Sequence, residues 1–135
     1  MSIEFFIPMV PPTVTMQEHK VMVKNGKPLF YEPAELKAVR ALYVAKLDQA
    51  RRIYGPDEPI TDQPVRLTTK WIWPGGRDKA EAWKITKPDT DNLIKLFKDC
   101  MTRVGFWRDD ALVCSEITEK FYGPVAGIWV RIETL

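Results

Sequence analysis

The sequence predicts a single domain of the α+β class, in which a mixed β-sheet forms one layer and two main helices pack on one face of it. Three observations lead to this prediction. The 135 residues fit one domain of about 100–200 residues. Strand-like and helix-like patterns follow one another along the whole chain. No repeat or linker-like stretch divides residues 1–135, so one domain is expected to span them.

The chain is expected to begin with a strand and a hairpin. Residues 3–7 are apolar or aromatic except for Glu4, and Pro8 ends the run. Two further strand-like runs, residues 20–24 and 27–31, flank Asn25-Gly26. This pair is favoured in two-residue hairpin turns because both residues tolerate a positive φ.

The first helix is predicted over residues 33–52. Pro33 suits the first turn of a helix, and Gly55-Pro56 stops it. Apolar residues recur at helical spacing, as expected for a helix with one buried face. These are Leu36, Val39, Tyr43, Leu47 and Ala50.

Residues 64–73 alternate as a half-buried strand does. Apolar and aromatic side chains occupy one face, and Arg66, Thr68 and Lys70 occupy the other. The apolar face consists of Val65, Leu67, Thr69, Trp71 and Trp73. We expect both tryptophans to pack in the core rather than to stack on unpaired bases.

A second amphipathic helix is predicted over residues 91–104, with Gly105 as its stop. Two strands, residues 112–122 and 126–133, then surround a turn at Gly123-Pro124. The inward side chains of this helix are expected to be Leu93, Phe97, Cys100, Met101 and Val104. Phe106 and Trp107 are considered as an exposed wedge or a dimer contact, and Cys114 as a buried residue like Cys100.

The net charge of +2 conceals a gradient along the chain. Residues 64–108 carry ten basic and five acidic side chains, a local charge of +5. Several of the basic side chains lie in the predicted loop 74–88, which opens with Pro74-Gly75-Gly76. Such a region is either a solvated face or a surface that binds phosphate groups.

The composition limits the remaining classes of protein. The chain is 45% hydrophobic and 28% charged, which is ordinary for a globular domain. No run approaches the roughly 18 apolar residues of a membrane span, and the N-terminus lacks a basic secretory signal. Two cysteines and one histidine form neither a disulfide framework nor a zinc site. We therefore expect a cytoplasmic protein away from membranes.

Two pairs of aspartates flank the second helix. Asp89 and Asp91 stand at its start, where they could simply cap it, and Asp109-Asp110 follow its end, where they could form a solvated turn. A helix of about 14 residues is roughly 21 Å long, so the pairs meet only if residues 105–110 run back along it. If they meet, their mutual repulsion calls for a divalent cation, and all-oxygen ligands suit Mg²⁺ or Mn²⁺. Beside a basic surface, such a site suggests phosphodiester hydrolysis.

The residues between the two pairs form an extended motif. It reads Asp89-Thr90-Asp91-Asn92-Leu93-Ile94-Lys95, then Asp99, Gly105 and Asp109-Asp110, and continues weakly into Lys120-Phe121-Tyr122. In order and spacing this pattern resembles the RusA family of Holliday-junction resolvases, which are crossover-junction endodeoxyribonucleases common in bacteria and their phages. The first strand followed by Pro11-Pro12 is similar to the start of that family. One departure is Pro88, which stands where family members often carry a basic residue.

The resemblance implies a RusA-like fold and assigns roles to individual residues. The catalytic carboxylates that bind Mg²⁺, with Mn²⁺ as a possible substitute, would be Asp89, Asp91 and Asp110. Lys95 would contact the scissile phosphate or stabilise developing charge. DNA contacts are expected from Lys79, Lys84, Lys87 and Lys95.

The implied function is Mg²⁺-dependent resolution of four-way DNA junctions during recombination and repair. A homodimer would make paired symmetric nicks without a small-molecule cofactor. Two alternatives are a catalytically silent branched-DNA-binding protein, whose aspartates only cap a helix, and a less selective metal-dependent nuclease. An enzyme for a small phosphorylated substrate is a weaker alternative, because the sequence has no glycine-rich phosphate loop.

Overall fold

The computed structural model describes residues 1–14, 20–24, 26–75 and 82–135, and it has the predicted α+β architecture. In chain order its elements are β1 (Ser2–Pro8), β2 (Lys20–Lys24), β3 (Lys27–Tyr31), α1 (Ala34–Tyr54), β4 (Val65–Pro74), α2 (Thr90–Val104), a 3₁₀ turn (Asp110–Leu112), β5 (Val113–Gly123) and β6 (Gly127–Thr134). Each predicted strand and helix is confirmed, with its ends shifted by two residues at most. None of the helices in these ranges is long and apolar enough to cross a membrane.

The main sheet contains four strands in the order β1-β6-β4-β5. β6 pairs antiparallel with β1 and β4, whereas β4 and β5 are parallel. A parallel pair needs a crossover connection, and α2 provides it between the end of β4 and the start of β5. This topology makes α2 run opposite to both strands. β2 and β3 form a separate hairpin, as predicted, in which Lys24 pairs with Lys27 and Gly26 has a φ of 74°.

The core lies between the sheet and the two helices. Trp71 is fully buried and Trp73 is 5% exposed, which confirms the prediction that both pack in the core. The Trp71 ring meets the edges of Tyr43 from α1 and Phe97 from α2, at centroid distances of 6.2 and 5.1 Å. These three rings join both helices to the central strand β4.

The prediction of an exposed wedge at Phe106 and Trp107 is wrong, because both side chains are buried. Gly105 adopts the left-handed conformation, with φ 93° and ψ 30°, and ends α2. Phe106 then stacks on Phe5, with centroids 5.9 Å apart, and the indole N–H of Trp107 donates to Thr102 Oγ1 at 2.7 Å. Neither aromatic side chain is therefore available as a surface wedge.

The two cysteines also differ from expectation. Cys100 is buried in α2, as predicted, but Cys114 is exposed. The register between β4 and β5 shifts at Cys114, since Val65 pairs with Val113 and Arg66 pairs with Ser115. A residue at such an irregularity leaves the regular inward-outward alternation, which accounts for the exposed Cys114 side chain.

Candidate active site

The start of α2 presents two carboxylates to solvent. Asp89 is the residue that precedes the helix, in an extended conformation with φ −70° and ψ 147°, and Asp91 lies in the first turn. Both are exposed. The Asp89 side chain makes no capping hydrogen bond, and neither carboxylate is paired with a side chain in the described part of the protein. The carboxylates therefore remain available to an external cation.

Lys95 lies one helical turn beyond Asp91, on the same side of α2. The opposite side of this helix is buried against the sheet and α1, whereas Lys95 is exposed. The buried set is Leu93, Ile94, Leu96, Phe97, Cys100 and Met101. The amphipathic pattern of α2 thus brings three predicted site residues, Asp89, Asp91 and Lys95, to one exposed end of the molecule.

The second acidic pair lies at the other end of α2. Asp109 Oδ1 accepts a hydrogen bond from the main-chain N–H of Ala111 at 2.9 Å, which caps the short 3₁₀ turn. Asp110 is exposed in that turn, immediately before β5. Asp109 thus has a structural role, whereas the Asp110 carboxylate faces solvent.

The direction of β5 keeps the two acidic pairs apart within one chain. Lys98 Nζ lies 2.7 Å from Glu116 Oε2, and Lys120 Nζ lies 2.7 Å from the main-chain oxygen of Pro88. Later residues of β5 therefore meet earlier residues of α2. Because α2 has 15 residues, its two ends are about 22 Å apart. Residues 105–110 stay at the C-terminal end of α2, and the chain runs back along the helix only in β5, so Asp110 does not reach the other carboxylates.

Within the described residues of one chain, the three predicted metal ligands therefore do not come together. Across residues 1–14, 20–24, 26–75 and 82–135 no group of three His, Cys, Asp or Glu side chains is arranged to hold a metal ion. The separate metal-binding roles of Asp89, Asp91 and Asp110 stay predictions.

The predicted DNA-binding lysines are placed as follows. Lys79 lies outside the described residues. Lys84 Nζ donates to Thr86 Oγ1 at 2.8 Å and to the Tyr122 hydroxyl at 3.3 Å, so its ammonium is held against the protein. Lys87 is exposed, two residues before the first aspartate of α2. Lys84 and Lys87 thus belong to the segment that leads into the candidate site.

Asp99 belongs to a structural network rather than to the acidic end of α2. The Arg40 guanidinium donates to Asp99, and its Nη2 lies 2.9 Å from Glu32 Oε1. The hydrogen bond to Glu32 raises the pKa of Arg40 above its ordinary value. The three side chains join α1 and the residue after β3 to α2.

One residue near the site was not selected from the sequence. Lys120, on β5, donates to the main-chain oxygens of Thr86 and Pro88, directly before Asp89. The sequence signal that could have identified Lys120 is the weak continuation of the motif through this residue. Its spatial relation to Asp89 depends on the pairing of distant strands.

Comparisons with known proteins agree with the motif. The model of the family "Endodeoxyribonuclease RusA" matches residues 10–133, a range that contains both acidic pairs and Lys95. The "Uncharacterized protein YqaN" of Bacillus subtilis (strain 168) is 30% identical over 122 residues, which cover 82% of each chain. With the family match extending over nearly its whole length, this chain belongs to the RusA family of endodeoxyribonucleases.

Proposed function

We propose that this protein is a Mg²⁺-dependent, structure-selective endodeoxyribonuclease that resolves four-way DNA junctions by paired symmetric nicks in recombination and repair. Membership of the RusA family supports the nuclease class. The observation that carries the chemistry is the exposed end of α2, where Asp89 and Asp91 have no side-chain partner among the described residues. Lys95 stands one turn away on the same side.

The donor set fits a hard divalent cation. Ionised carboxylates offer only oxygen acceptors, and Mg²⁺ prefers one or two such ligands together with water and a substrate phosphate. Asp89 and Asp91 would hold the ion, with Mn²⁺ as a possible substitute and Asp110 as the third protein ligand. A bound Mg²⁺ supplies an activated water and neutralises charge on the phosphate. Lys95 orients the phosphate and stabilises charge that develops on it.

A homodimer completes this site in the proposal. The length of α2 separates Asp110 from Asp89 and Asp91 of the same chain by about 22 Å. A second copy, related by a two-fold axis, can supply Asp110 of the partner subunit to one site and receive the same contribution in return. Two equivalent sites result, as two symmetric nicks require.

Basic side chains near the site bind the DNA backbone in this proposal. Lys87 and Lys95 are exposed, Lys84 is hydrogen-bonded to Tyr122 of β5, and Lys79 belongs to the same basic region of the sequence. Each phosphate contact releases counterions, so junction affinity is expected to fall as salt rises. A protein acting on chromosomal or phage DNA would work in the cytoplasm.

The direct test uses a synthetic four-way junction and a matched linear duplex, each with and without Mg²⁺. The proposal predicts paired nicks in the junction only when Mg²⁺ is present, and little cleavage of the duplex. Junction binding without cleavage at any Mg²⁺ concentration would indicate the silent binding protein. Equal cleavage of both substrates would indicate a less selective nuclease.

A separate experiment tests whether each metal site is shared between the two subunits. Asp91→Asn and Asp110→Asn chains are each expected to be inactive. A mixture that has exchanged subunits contains dimers with one intact site, because the intact Asp91 and Asp110 come from different chains. Such dimers should nick one strand of the junction without making the paired cut. A mixture as inactive as its components would contradict a site shared between subunits.

A further inference from the structure

We propose that Lys120 is a positioning residue for the catalytic aspartates, because its ammonium group holds the chain that leads into Asp89 and Asp91. This inference rests on the proposed nuclease function and identifies a residue on which that site depends. Lys120 does not need to touch the substrate for this role.

The contacts of Lys120 end one residue before the first aspartate. Its side chain lies beside Trp71 in the β4–β5 register, so it points towards the helical layer. Nζ donates to the main-chain oxygens of Thr86 and Pro88, each at 2.7 Å. The Pro88 carbonyl belongs to the peptide bond with Asp89, so the ammonium fixes the peptide from which α2 starts.

The main-chain pairing with β5 stops short of this point. Lys84 N–H donates to the Lys120 carbonyl at 3.0 Å. Tyr122 N–H donates to the Ala82 carbonyl at 2.7 Å. In the described part of the chain, the main chain of residues 85–88 forms no hydrogen bond with another main-chain group. Beyond the end of the strand-like pairing, the Lys120 side chain supplies the hydrogen bonds. It satisfies two main-chain carbonyls that lie outside regular secondary structure.

An ion pair does not explain the position of this ammonium. No carboxylate of the described residues forms a salt bridge with Lys120 within 4.0 Å. A cation is also disfavoured near the positive N-terminal end of a helix, where α2 begins. The two carbonyls therefore determine where the ammonium lies, and in return it determines where they lie.

The alternative is that Lys120 stabilises the fold without affecting the metal site. Lys120→Met separates the two roles, since methionine keeps an unbranched apolar stem beside Trp71 but cannot donate. Lys70→Met is the matched control. Lys70 lies on β4 next to Trp71 and therefore on the opposite face, with Nζ 5.1 Å from the Trp129 ring centroid. The Lys70→Met variant also loses an ammonium group and an internal contact, but both lie away from the proposed metal site.

The experiment measures junction nicking against Mg²⁺ concentration, together with amide hydrogen exchange. Lys120→Met should need about tenfold more Mg²⁺ for its half-maximal rate, as is typical when a residue supporting a metal ligand is lost. Junction affinity without Mg²⁺ should change less than about twofold. Exchange in residues 85–93 should become about fivefold faster, while exchange in α1 stays unchanged. Lys70→Met should match the wild type in all of these.

Several outcomes would overturn the inference. An unchanged Mg²⁺ dependence in Lys120→Met would do so, as would a uniform rise in exchange across the whole chain. If Lys120→Met does not fold, Lys120→Arg replaces it, because arginine keeps several donors and should retain a Mg²⁺ dependence near that of the wild type. A wild-type protein that cuts no junction would instead refute the proposed function. Hydrogen exchange in residues 85–93 would still decide whether Lys120 holds this segment.

Discussion

Gly127 lies against β1 with no room for a side chain, and Gly127→Ala is predicted to destabilise the fold. Gly127 pairs with Pro8 of β1 and with Ile72 of β4. A Cβ at this position would lie 2.1 Å from Phe6 Cζ and 2.6 Å from the Ile7 carbonyl oxygen. Both distances are far below van der Waals contact, so the structure must shift to accept a methyl group.

The two obstacles differ in how easily they move. The Phe6 ring is 38% exposed and can swing outward, at the cost of its packing on the sheet. The Ile7 oxygen belongs to the main chain of β1, whose register with β6 fixes it. Overpacking of this kind costs about 1–3 kcal/mol, and the lower entropy of the unfolded alanine chain offsets about 0.4–1 kcal/mol. A Cβ only 2.1 Å from Phe6 Cζ places the cost near the upper end of this range, so we expect a net loss of about 2 kcal/mol.

Thermal and urea unfolding measure this loss. For a chain of 135 residues, 2 kcal/mol corresponds to a Tm lower by about 6–8 °C. Gly123→Ala is the control, because its Cβ would approach only the Ile72 Cγ2 methyl, at 2.9 Å, and that side chain can adjust. Its expected loss is below about 1 kcal/mol. A Gly127→Ala protein that unfolds at the wild-type temperature would refute the steric argument.

Three further changes test other parts of the structure. Arg40→Met removes the ion pair with Asp99 and should lower the free energy of unfolding by about 2 kcal/mol, less than for a fully buried pair because Asp99 is partly exposed. Urea unfolding measures this change, and a loss below about 0.5 kcal/mol would contradict a structural network. Burial raises the pKa of Cys100 to about 11, so at pH 8 only about one thiol in a thousand is ionised. A thiol reagent should therefore modify Cys114 quickly and Cys100 only slowly or at higher pH, and two equally fast thiols would be inconsistent with this structure. Lys95→Ala should slow junction cleavage about 100-fold while changing affinity much less. A defect in binding alone would make Lys95 a DNA contact rather than a catalytic residue.

The order and type of the elements could be predicted because local signals are strong in this sequence. Glycine and proline mark the ends of both helices and the turns, and β4 alternates in burial except at Thr68. The exposure of Cys114 could not be predicted, since it depends on a register shift between two strands. Phe106 and Trp107 follow the helix end as a surface turn would, but their burial is set by packing against distant residues.

The candidate site likewise has a part that could be predicted from the sequence and a part that could not. Asp89, Asp91 and Lys95 lie within seven residues, so helical geometry alone places them at one end of α2. The position of Asp110 depends on the direction of β5, which pairs parallel with β4 and reverses the chain relative to α2. Lys120 comes from that same strand, 31 residues after Asp89. Neither relationship is encoded in local spacing.

The most direct test of the central claim compares Asp91→Asn with Asp62→Asn on a four-way junction in Mg²⁺. Both substitutions exchange an exposed carboxylate for an amide, but Asp62 lies in the segment before β4, outside the motif that runs from Asp89 to Asp110. Asp91→Asn is expected to bind the junction as the wild type does and to cut it at least about 1,000-fold more slowly, since it lacks a metal ligand. Asp62→Asn should cut normally. Cleavage by Asp91→Asn at the wild-type rate would contradict a metal-binding role for Asp91.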